Sequence, residues 1–348
     1  MKKLLLVGSG SVHLKNYYSL VSDYFQSSMI ITNEKKYDFP NAEVLIADFG
    51  VRNPFSLCKN IKLIRKKVIE FAPDIIHIHQ ANSYSYLTIK AVKKLNIPII
   101  ITAWGDDILI LPNKSRLLRK MVLFNLKHAN AFTSDSSTMS DEIKILTDTK
   151  NKPVITVNFG VDIPSVSPIK SNVIYSNRLH QDFYRIDKII KAFDLFSEKN
   201  PGWKLVVAGE GNDTLKLKEI ARQCKYSNSI EFVGWVDKNT NQNFYNQAKY
   251  FVSIPTTDAT SASLLESMAS DCIPIVSDLP ANKEWVNDRE NGIIVHDVNI
   301  DFISDALSLD ENKCKKHNRE LIINNATKEV SRKKFLELYD YFLKKENA

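Results

Sequence analysis

Two carboxylates, Asp258 and Glu266, flank a run of small hydroxyl residues that includes Thr260, Ser261 and Ser263. Before them the apolar run Tyr250–Ile254 is stopped by Pro255, and after them Leu264, Leu265 and Met268 begin a helical pattern. The stretch therefore reads as strand, loop and helix, with Thr260, Ser261 or Ser263 as the N-cap. Unpaired amides around Ser261, Ala262 and Ser263, at the positive end of the helix dipole, would make a seat for phosphate. Carboxylates are poor phosphate ligands but good acceptors for sugar hydroxyls. A phosphate seat between two hydroxyl-readers suits a nucleotide-sugar; an ordinary capped helix with surface acids satisfies the same residues.

Other reactive side chains also follow short apolar runs. Val173–Tyr175 leads into Ser176-Asn177-Arg178-Leu179, with Arg185 and Lys188 further on. An Arg there can grip a diphosphate bidentately, while a surface ion pair is the plainer reading for Lys188. Gly209 lies in the turn Ala208-Gly209-Glu210-Gly211, and Gly234 precedes Trp235 and Val236, where the indole can lie against a nucleobase. In the first half, Gly8-Ser9-Gly10-Ser11, with His13 following, permits close backbone approach. Lacking a third glycine, it is a weak dinucleotide fingerprint and fits a plain tight turn. His77 and His79 alternate along one strand and share a face. His77 suits a structural role, and His79 lies nearer the carboxyl edge. Ala103-Trp104-Gly105-Asp106-Asp107 offers an apolar plate, a close approach and two acids able to accept a hydroxyl or a proton. One acid caps the turn that follows, leaving Asp107 as the candidate for chemistry.

Such residues meet only if the frame brings strand ends together. The first half predicts strands at Leu4–Val7, Met29–Thr32, Ala42–Ile46, Ile75–Ile78, Pro98–Thr102, Ala131–Thr133 and Val154–Val157. Between them run helical patterns at Tyr17–Phe25, Lys59–Phe71, Thr88–Leu95 and Leu117–His128. After the Pro/Ser-rich connector Ile163–Pro168 the second half predicts strands at Val173–Tyr175, Lys204–Val207, Ile230–Val233, Tyr250–Ile254, Ile273–Ser277 and Gly292–Val295. Its helical patterns are Lys188–Phe196, Thr214–Cys224, Asn241–Gln247 and a final Glu329–Leu343. Strand–helix alternation with short links is the pattern of doubly wound parallel sheets, which bind ligands at the carboxyl ends of their strands. The expected class is α/β, with two Rossmann-like domains facing across a cleft.

Composition sets the outer bounds. A chain of 348 residues, 44% hydrophobic and 25% charged, can bury two cores. Its net charge of +7 is spread out, without the aromatic-interleaved basic patches of RNA-binding modules, so nucleic acid is not expected as a partner. Leu4–Val7 is too short for a signal-peptide core, and no apolar run approaches the ~20 residues that cross a bilayer. Cys58, Cys224, Cys272 and Cys314 are scattered without a C-x-x-C, which fits reduced thiols, a cytoplasmic setting and no structural zinc. Two basic amphipathic stretches, Lys59–Val68 and Lys114–Lys127, suit either a solvated face or contact with an anionic membrane.

Taken in order, these pieces resemble the retaining glycosyltransferases of the GT-B fold in glycosyltransferase family 4. The resemblance rests on Arg178-Leu179, Ile186-Asp187 leading to Ala192-Phe193, Val207–Gly211 and Phe232–Val236. Its most specific part runs from Ser253 through Asp258 and Glu266 to Ala269, then Pro274–Pro280 and Glu284. Weaker matches are Asp74–His79, Ala103–Asp107 and Gly160–Asp162, so nearly the whole chain is covered.

The resemblance implies an acceptor-binding domain over 1–165, a nucleotide-sugar-binding domain over 166–325 and a helix at 326–348 returning to the first domain. It implies a hexosyltransferase that moves a sugar or N-acetylhexosaminyl unit, from UDP by preference, to a sugar or lipid-linked acceptor of surface polysaccharide synthesis. Glu266 would accept the ribose hydroxyls and Asp258 those of the transferred sugar. Arg178 and the amides of Ser261–Ser263 would hold the diphosphate, with Arg185, Gly209, Trp235 and Val236 also on the donor side. Asp107 and His79 are the catalytic candidates near the acceptor, and Gly10, His13, Trp104 and Gly105 line the acceptor or diphosphate loop. Neither metal nor cofactor is implied. This chain departs from the family pattern at three places: Asp258 where Glu is usual, Tyr184 where Lys is usual, and Trp104 where many members carry His. Arg185 is the candidate to replace the missing Lys. A nucleotide-sugar epimerase of the same fold and a catalytically inactive donor-binding protein are the alternatives.

Overall fold

The computed structural model describes residues 2–147, 151–165 and 169–344. It divides into two compact units, residues 1–159 with 328–348, and residues 160–327. The chain passes from one to the other at Phe159–Gly160, ahead of the Pro/Ser-rich connector, of which 166–168 lie outside the described residues. Val161 pairs instead with Thr327, its amide donating to the Ala326 carbonyl at 2.8 Å, so both ends of the second unit are tied together.

The first unit begins β1 (Lys3–Val7), α1 (Val12–Val21), β2 (Ser27–Thr32), β3 (Ala42–Ile46), α2 (Pro54–Phe71) and β4 (Ile75–His79). It continues α3 (Ser83–Val92), β5 (Ile99–Thr102), α4 (Asp106–Leu109), α5 (Leu111–Lys114), α6 (Arg116–His128), β6 (Ala131–Ser134), α7 (Ser137–Thr147) and β7 (Val154–Thr156). The seven strands are all parallel, in the order β3-β2-β1-β4-β5-β6-β7. Leu4, Leu5, Leu6 and Val7 are all buried, as a parallel strand covered on both faces requires.

Helices start earlier here than apolar periodicity predicts, because their caps lie upstream. Ser11 accepts from the Leu14 amide and starts α1 at Val12 rather than Tyr17. Asn53, followed by Pro54 at the first helical position, starts α2 well before Lys59, and Asn82 starts α3 before Thr88. Helix α7, rich in Ser and Thr, has no counterpart among the expected elements.

The second unit runs β8 (Ser171–Ser176), α8 (Ile186–Lys199), β9 (Lys204–Ala208), α9 (Thr214–Gln223), β10 (Ile230–Gly234), α10 (Lys238–Gln247) and β11 (Ala248–Ser253). Then come α11 (Ala262–Ala269), β12 (Ile273–Ser277), α12 (Pro280–Lys283), β13 (Ile293–Val295) and α13 (Glu311–Asn325), a polar helix also absent from the expected elements. Its six parallel strands are ordered β10-β9-β8-β11-β12-β13. Alternate strand residues feed two cores. Ile174, Leu205, Tyr250 and Val252 pack with Phe193, Phe196 and Trp203, the last stacked on Tyr250 at 5.1 Å. Tyr175, Val206 and Phe251 pack on the other face with Leu264, Leu265, Met268 and Tyr245.

The last helix, α14 (Lys328–Leu343), belongs to the first unit, where Phe335, Leu338, Tyr339 and Leu343 share a core with Leu4, Leu6 and Tyr17. A buried polar chain secures it. The Tyr339 hydroxyl lies 2.7 Å from His77 Nδ1 and 2.5 Å from the Tyr17 hydroxyl. His77 Nε2 reaches Thr102 Oγ1 at 2.6 Å, and Thr102 reaches Thr133 at 2.6 Å. Burial holds the His77 pKa down to about 3, so the ring is neutral.

Candidate active site

In both sheets the strand order reverses beside the first strand of the unit, between β1 and β4 and between β8 and β11. Loops leaving those strand pairs diverge, and the crevice between them is where doubly wound sheets take ligands. The second unit gathers Arg178, Asp258, Ser261 and Glu266 there.

Arg178 follows β8, and its guanidinium is held on three sides. Nη2 donates to Asp258 Oδ2 at 2.6 Å, Nη1 donates to Ser261 Oγ at 2.6 Å, and the group sits 4.5 Å from the Tyr184 ring centroid. The Arg178 and Asp258 side chains retain 11% and 24% of their exposure, so the pair is largely withdrawn from water. Asp258 Oδ1 also accepts from the Ala259 amide at 3.1 Å. Of the three residues able to cap α11, the cap is Ser261, whose Oγ accepts from the Leu264 amide. The amides of Ala262 and Ser263 have no hydrogen-bond partner among the described residues, and Ala262 is exposed. They are the unpaired amides of the first turn, the kind of group that can seat an anion.

Glu266 stands one turn into α11, half-buried, with Oε2 accepting from the Tyr245 hydroxyl at 3.2 Å. Tyr245, Asn177 and Asn241 were not singled out by sequence. The signals were slight: Asn177 immediately precedes Arg178, and Tyr245 is the one buried side chain of the polar helix α10. Gly209 has φ +107°, and a Cβ there would meet the Arg178 carbonyl oxygen at 2.5 Å. Its role is to let the turn after β9 approach the Arg178 loop.

Four other residues considered for the donor side have varied surroundings. Arg185 adopts a left-handed conformation, φ 54°, at the start of α8, and its side chain makes no hydrogen bond among the described residues. Trp235 is 72% exposed after β10, while Val236 packs against the core that holds Tyr245. Lys188 donates to Asn299 Oδ1 at 2.7 Å.

The first unit brings together His13, Trp104 and His79, while Gly10 packs against Glu34 and Asn33. A Cβ on Gly10 would lie 2.4 Å from the Glu34 carbonyl oxygen, and the Gly10 amide donates to Asn33 Oδ1 at 2.9 Å. The His13 ring meets Trp104 edge-on at 5.2 Å, and Trp104 meets His79 at 5.6 Å. His79 is fully buried among Tyr17, Trp104 and Phe159, and neither ring nitrogen has a hydrogen-bond partner among the described residues. Burial, and then the neighbouring His77 and His13, hold its pKa well below 6.5.

Asp107 is placed differently from a carboxylate awaiting substrate. It is buried at the start of α4, Oδ2 accepting from the Ala81 amide at 2.6 Å and Oδ1 from the Trp104 amide at 2.9 Å. Burial raises its pKa, and the amides of Ala81, Trp104, Asp107 and Gly105 pull it back. It joins the turns after β4 and β5, with Gly105 at φ 112° beside it and Asp106 exposed. Among the described residues no three His, Cys, Asp or Glu side chains gather as a metal site, and no helix is long and apolar enough to cross a membrane.

Residues 167–329 match the family described as glycosyl transferases group 1, and residues 2–136 match the family described as glycosyl transferase 4-like. Among curated relatives, the alpha-monoglucosyldiacylglycerol synthase of Streptococcus pneumoniae is 25% identical over 252 residues, 65% of this chain and 57% of that protein. Two uncharacterized glycosyltransferases are matched over 35% and 37% of their lengths, so each of these relatives is spanned over less than two thirds. Among solved structures, a glycosyltransferase from Rickettsia africae aligns over 99% of both chains at 18% identity and a TM-score of 0.79. Anabaena HepE in complex with UDP-glucose aligns over 98% of this chain and 100% of that one, at 10% identity and a TM-score of 0.78. At such identities the structural likeness speaks to the fold, which is of the GT-B type.

Proposed function

The chain belongs to the group 1 glycosyltransferases, family-4 type, and from that premise we propose that it is a retaining hexosyl- or N-acetylhexosaminyltransferase using a nucleotide-sugar. The observation that carries this reading is the gathering of Arg178, Asp258 and Glu266 around the open N-terminus of α11. A nucleoside diphosphate-sugar has three chemical parts, and this site has a counterpart for each. The Ala262 and Ser263 amides with Arg178 meet the diphosphate, Glu266 the ribose hydroxyls and Asp258 the hydroxyls of the transferred sugar. UDP is the preferred carrier, a choice supported by the UDP-glucose bound to Anabaena HepE.

In the proposed reaction an acceptor hydroxyl oxygen bonds to the anomeric carbon as the bond from that carbon to the diphosphate oxygen breaks, and the hydroxyl proton passes to the departing diphosphate. Negative charge grows on the leaving diphosphate, where fixed N–H donors and a guanidinium stabilise it more than they stabilise the bound donor. Asp107, with each oxygen already on a backbone amide, is a poor nucleophile. A front-face displacement with retention accounts for the site without a covalent intermediate. Asp107 then positions Trp104 and the turn after β4, and His79, Trp104, His13 and Gly10 are assigned to the acceptor side.

The acceptor is proposed to be a sugar or lipid-linked glycan. Helix α6 contains no acid and exposes Leu117 among Arg116, Arg119 and Lys120, which supports contact with an anionic leaflet. In α2, by contrast, Lys66 and Lys67 pair with Glu70.

The test is transfer from UDP-glucose and UDP-N-acetylglucosamine to glycan and glycolipid acceptors, with the product anomer read by NMR. Glu266→Ala should lose charge-assisted hydrogen bonds of about 1.5–3 kcal/mol each and weaken donor binding tenfold or more. Equal donor affinity in that variant overturns the reading. An epimer formed from donor alone would point to the epimerase instead.

A further inference from the structure

A glutamate on a half-buried helical turn can adopt several rotamers, yet a reader of two adjacent hydroxyls must hold its carboxylate in one plane. The surroundings of Glu266 supply that restraint. The Tyr245 hydroxyl lies 3.2 Å from Glu266 Oε2 and 3.3 Å from the Ser263 carbonyl oxygen. Asn177 Nδ2 donates to the same hydroxyl at 2.8 Å and to Asn241 Oδ1 at 2.9 Å. Tyr175 donates its own hydroxyl proton to Asn241 Oδ1 at 2.7 Å, which keeps that amide oriented.

The direction of the hydrogen bonds follows from counting protons. Asn177 fills an acceptor position of the phenol oxygen, so the single phenol proton is free for Glu266 or for the Ser263 carbonyl. The charged acceptor makes the stronger bond. Tyr245 is 1% exposed, and burial with the charge of Glu266 keeps the phenol protonated at any neutral pH. One of the roughly four lone-pair positions of the carboxylate is thereby committed to the protein, which sets the plane of the others.

We infer that Tyr245, oriented by Asn177, is a positioning residue that fixes the Glu266 carboxylate for a vicinal diol and so sets a preference for ribonucleotides over deoxyribonucleotides. The inference rests on the reading of Glu266 as the acceptor of the ribose hydroxyls. Asn177 adjoins Arg178, so one strand end orients both the diphosphate cation and the ribose reader.

Calorimetric titration of the full chain with UDP and with 2′-deoxy-UDP tests it. The wild type should bind UDP more tightly. Tyr245→Phe should weaken UDP roughly tenfold and 2′-deoxy-UDP much less, so that the preference shrinks. In turnover its donor KM should rise with kcat nearly kept, since the contact is equally strong before and during reaction. Asn177→Ala, which leaves the phenol in place, should shift the preference in the same direction by less, and it decides the matter if Tyr245→Phe does not fold. Should the folded variants keep the wild-type preference while Glu266→Ala loses it, the inference is overturned and the ribose reading stands. A wild type that binds the two nucleotides equally, or does not bind UDP, overturns both.

Discussion

Arg178 shows how a fold can hold a flexible side chain in one orientation. A guanidinium in water has many orientations; here Asp258, Ser261 and the Tyr184 ring leave it one. That order exists in the protein alone, so in the proposed reaction the charge growing on a leaving diphosphate would meet hydrogen-bond donors already in place. Arg178→Ala should therefore lower kcat by a larger factor than it raises donor KM, read from steady-state kinetics with UDP-glucose. Arg178→Lys should not restore the rate, because one ammonium cannot span Asp258 and Ser261 as a planar fork does. Residue types and order were enough to single out Arg178, Asp258 and Glu266. Tyr245 and Asn177 were not legible, because a Tyr in a polar helix signals nothing until the fold places its hydroxyl beside a carboxylate.

At the scale of elements, α11 carries the site, and its start is the sensitive point. Ser261 Oγ both caps the helix and accepts from Arg178, so its removal loosens two things together. Ser261→Ala should lower stability by about 1 kcal/mol in urea unfolding and also weaken UDP binding. Stability loss with unchanged UDP affinity would separate the cap from the proposed anion seat. Caps also explain where sequence reading slipped. Periodicity marks the buried middle of a helix, whereas the caps Ser11, Asn53 and Asp237 start theirs several residues upstream of that stretch. Helices α7 and α13 went unseen for a related reason: their buried positions are few and filled partly by Ser140, Cys314 and Asn318.

Across the whole molecule, the buried histidines link stability to pH. His77 is neutral in the fold, its pKa lowered from 6.5 to about 3, and His79 is shifted the same way. Below about pH 6.5 the unfolded chain binds protons that the folded chain refuses, so stability is full above that pH and falls as pH drops. For His77 the slope approaches about 1.4 kcal/mol per pH unit in that window, and His79 acts in the same direction. Asp107, with its raised pKa, acts with the opposite sign near the carboxylate range, favouring the fold slightly as pH falls. Urea unfolding between pH 7.5 and 5 should show the first unit weakening toward acid. A flat profile would mean that these imidazoles are charged or solvated in the fold.

The sequence alone determined the α/β class and the strand count of each sheet, and it marked the stretch from Asp258 to Glu266 as the candidate place for chemistry. Those properties are local: apolar runs buried on both faces make strands, and small hydroxyl residues before an apolar pattern make a helix start. Tertiary structure decided the rest, because it depends on residues distant in sequence. It brought Arg178 onto Asp258, took both oxygens of Asp107 for backbone amides, and enclosed His79 among aromatic rings. It also set the last helix into the first unit through Tyr339, His77 and Tyr17, side chains whose types say little until a buried hydroxyl needs a partner.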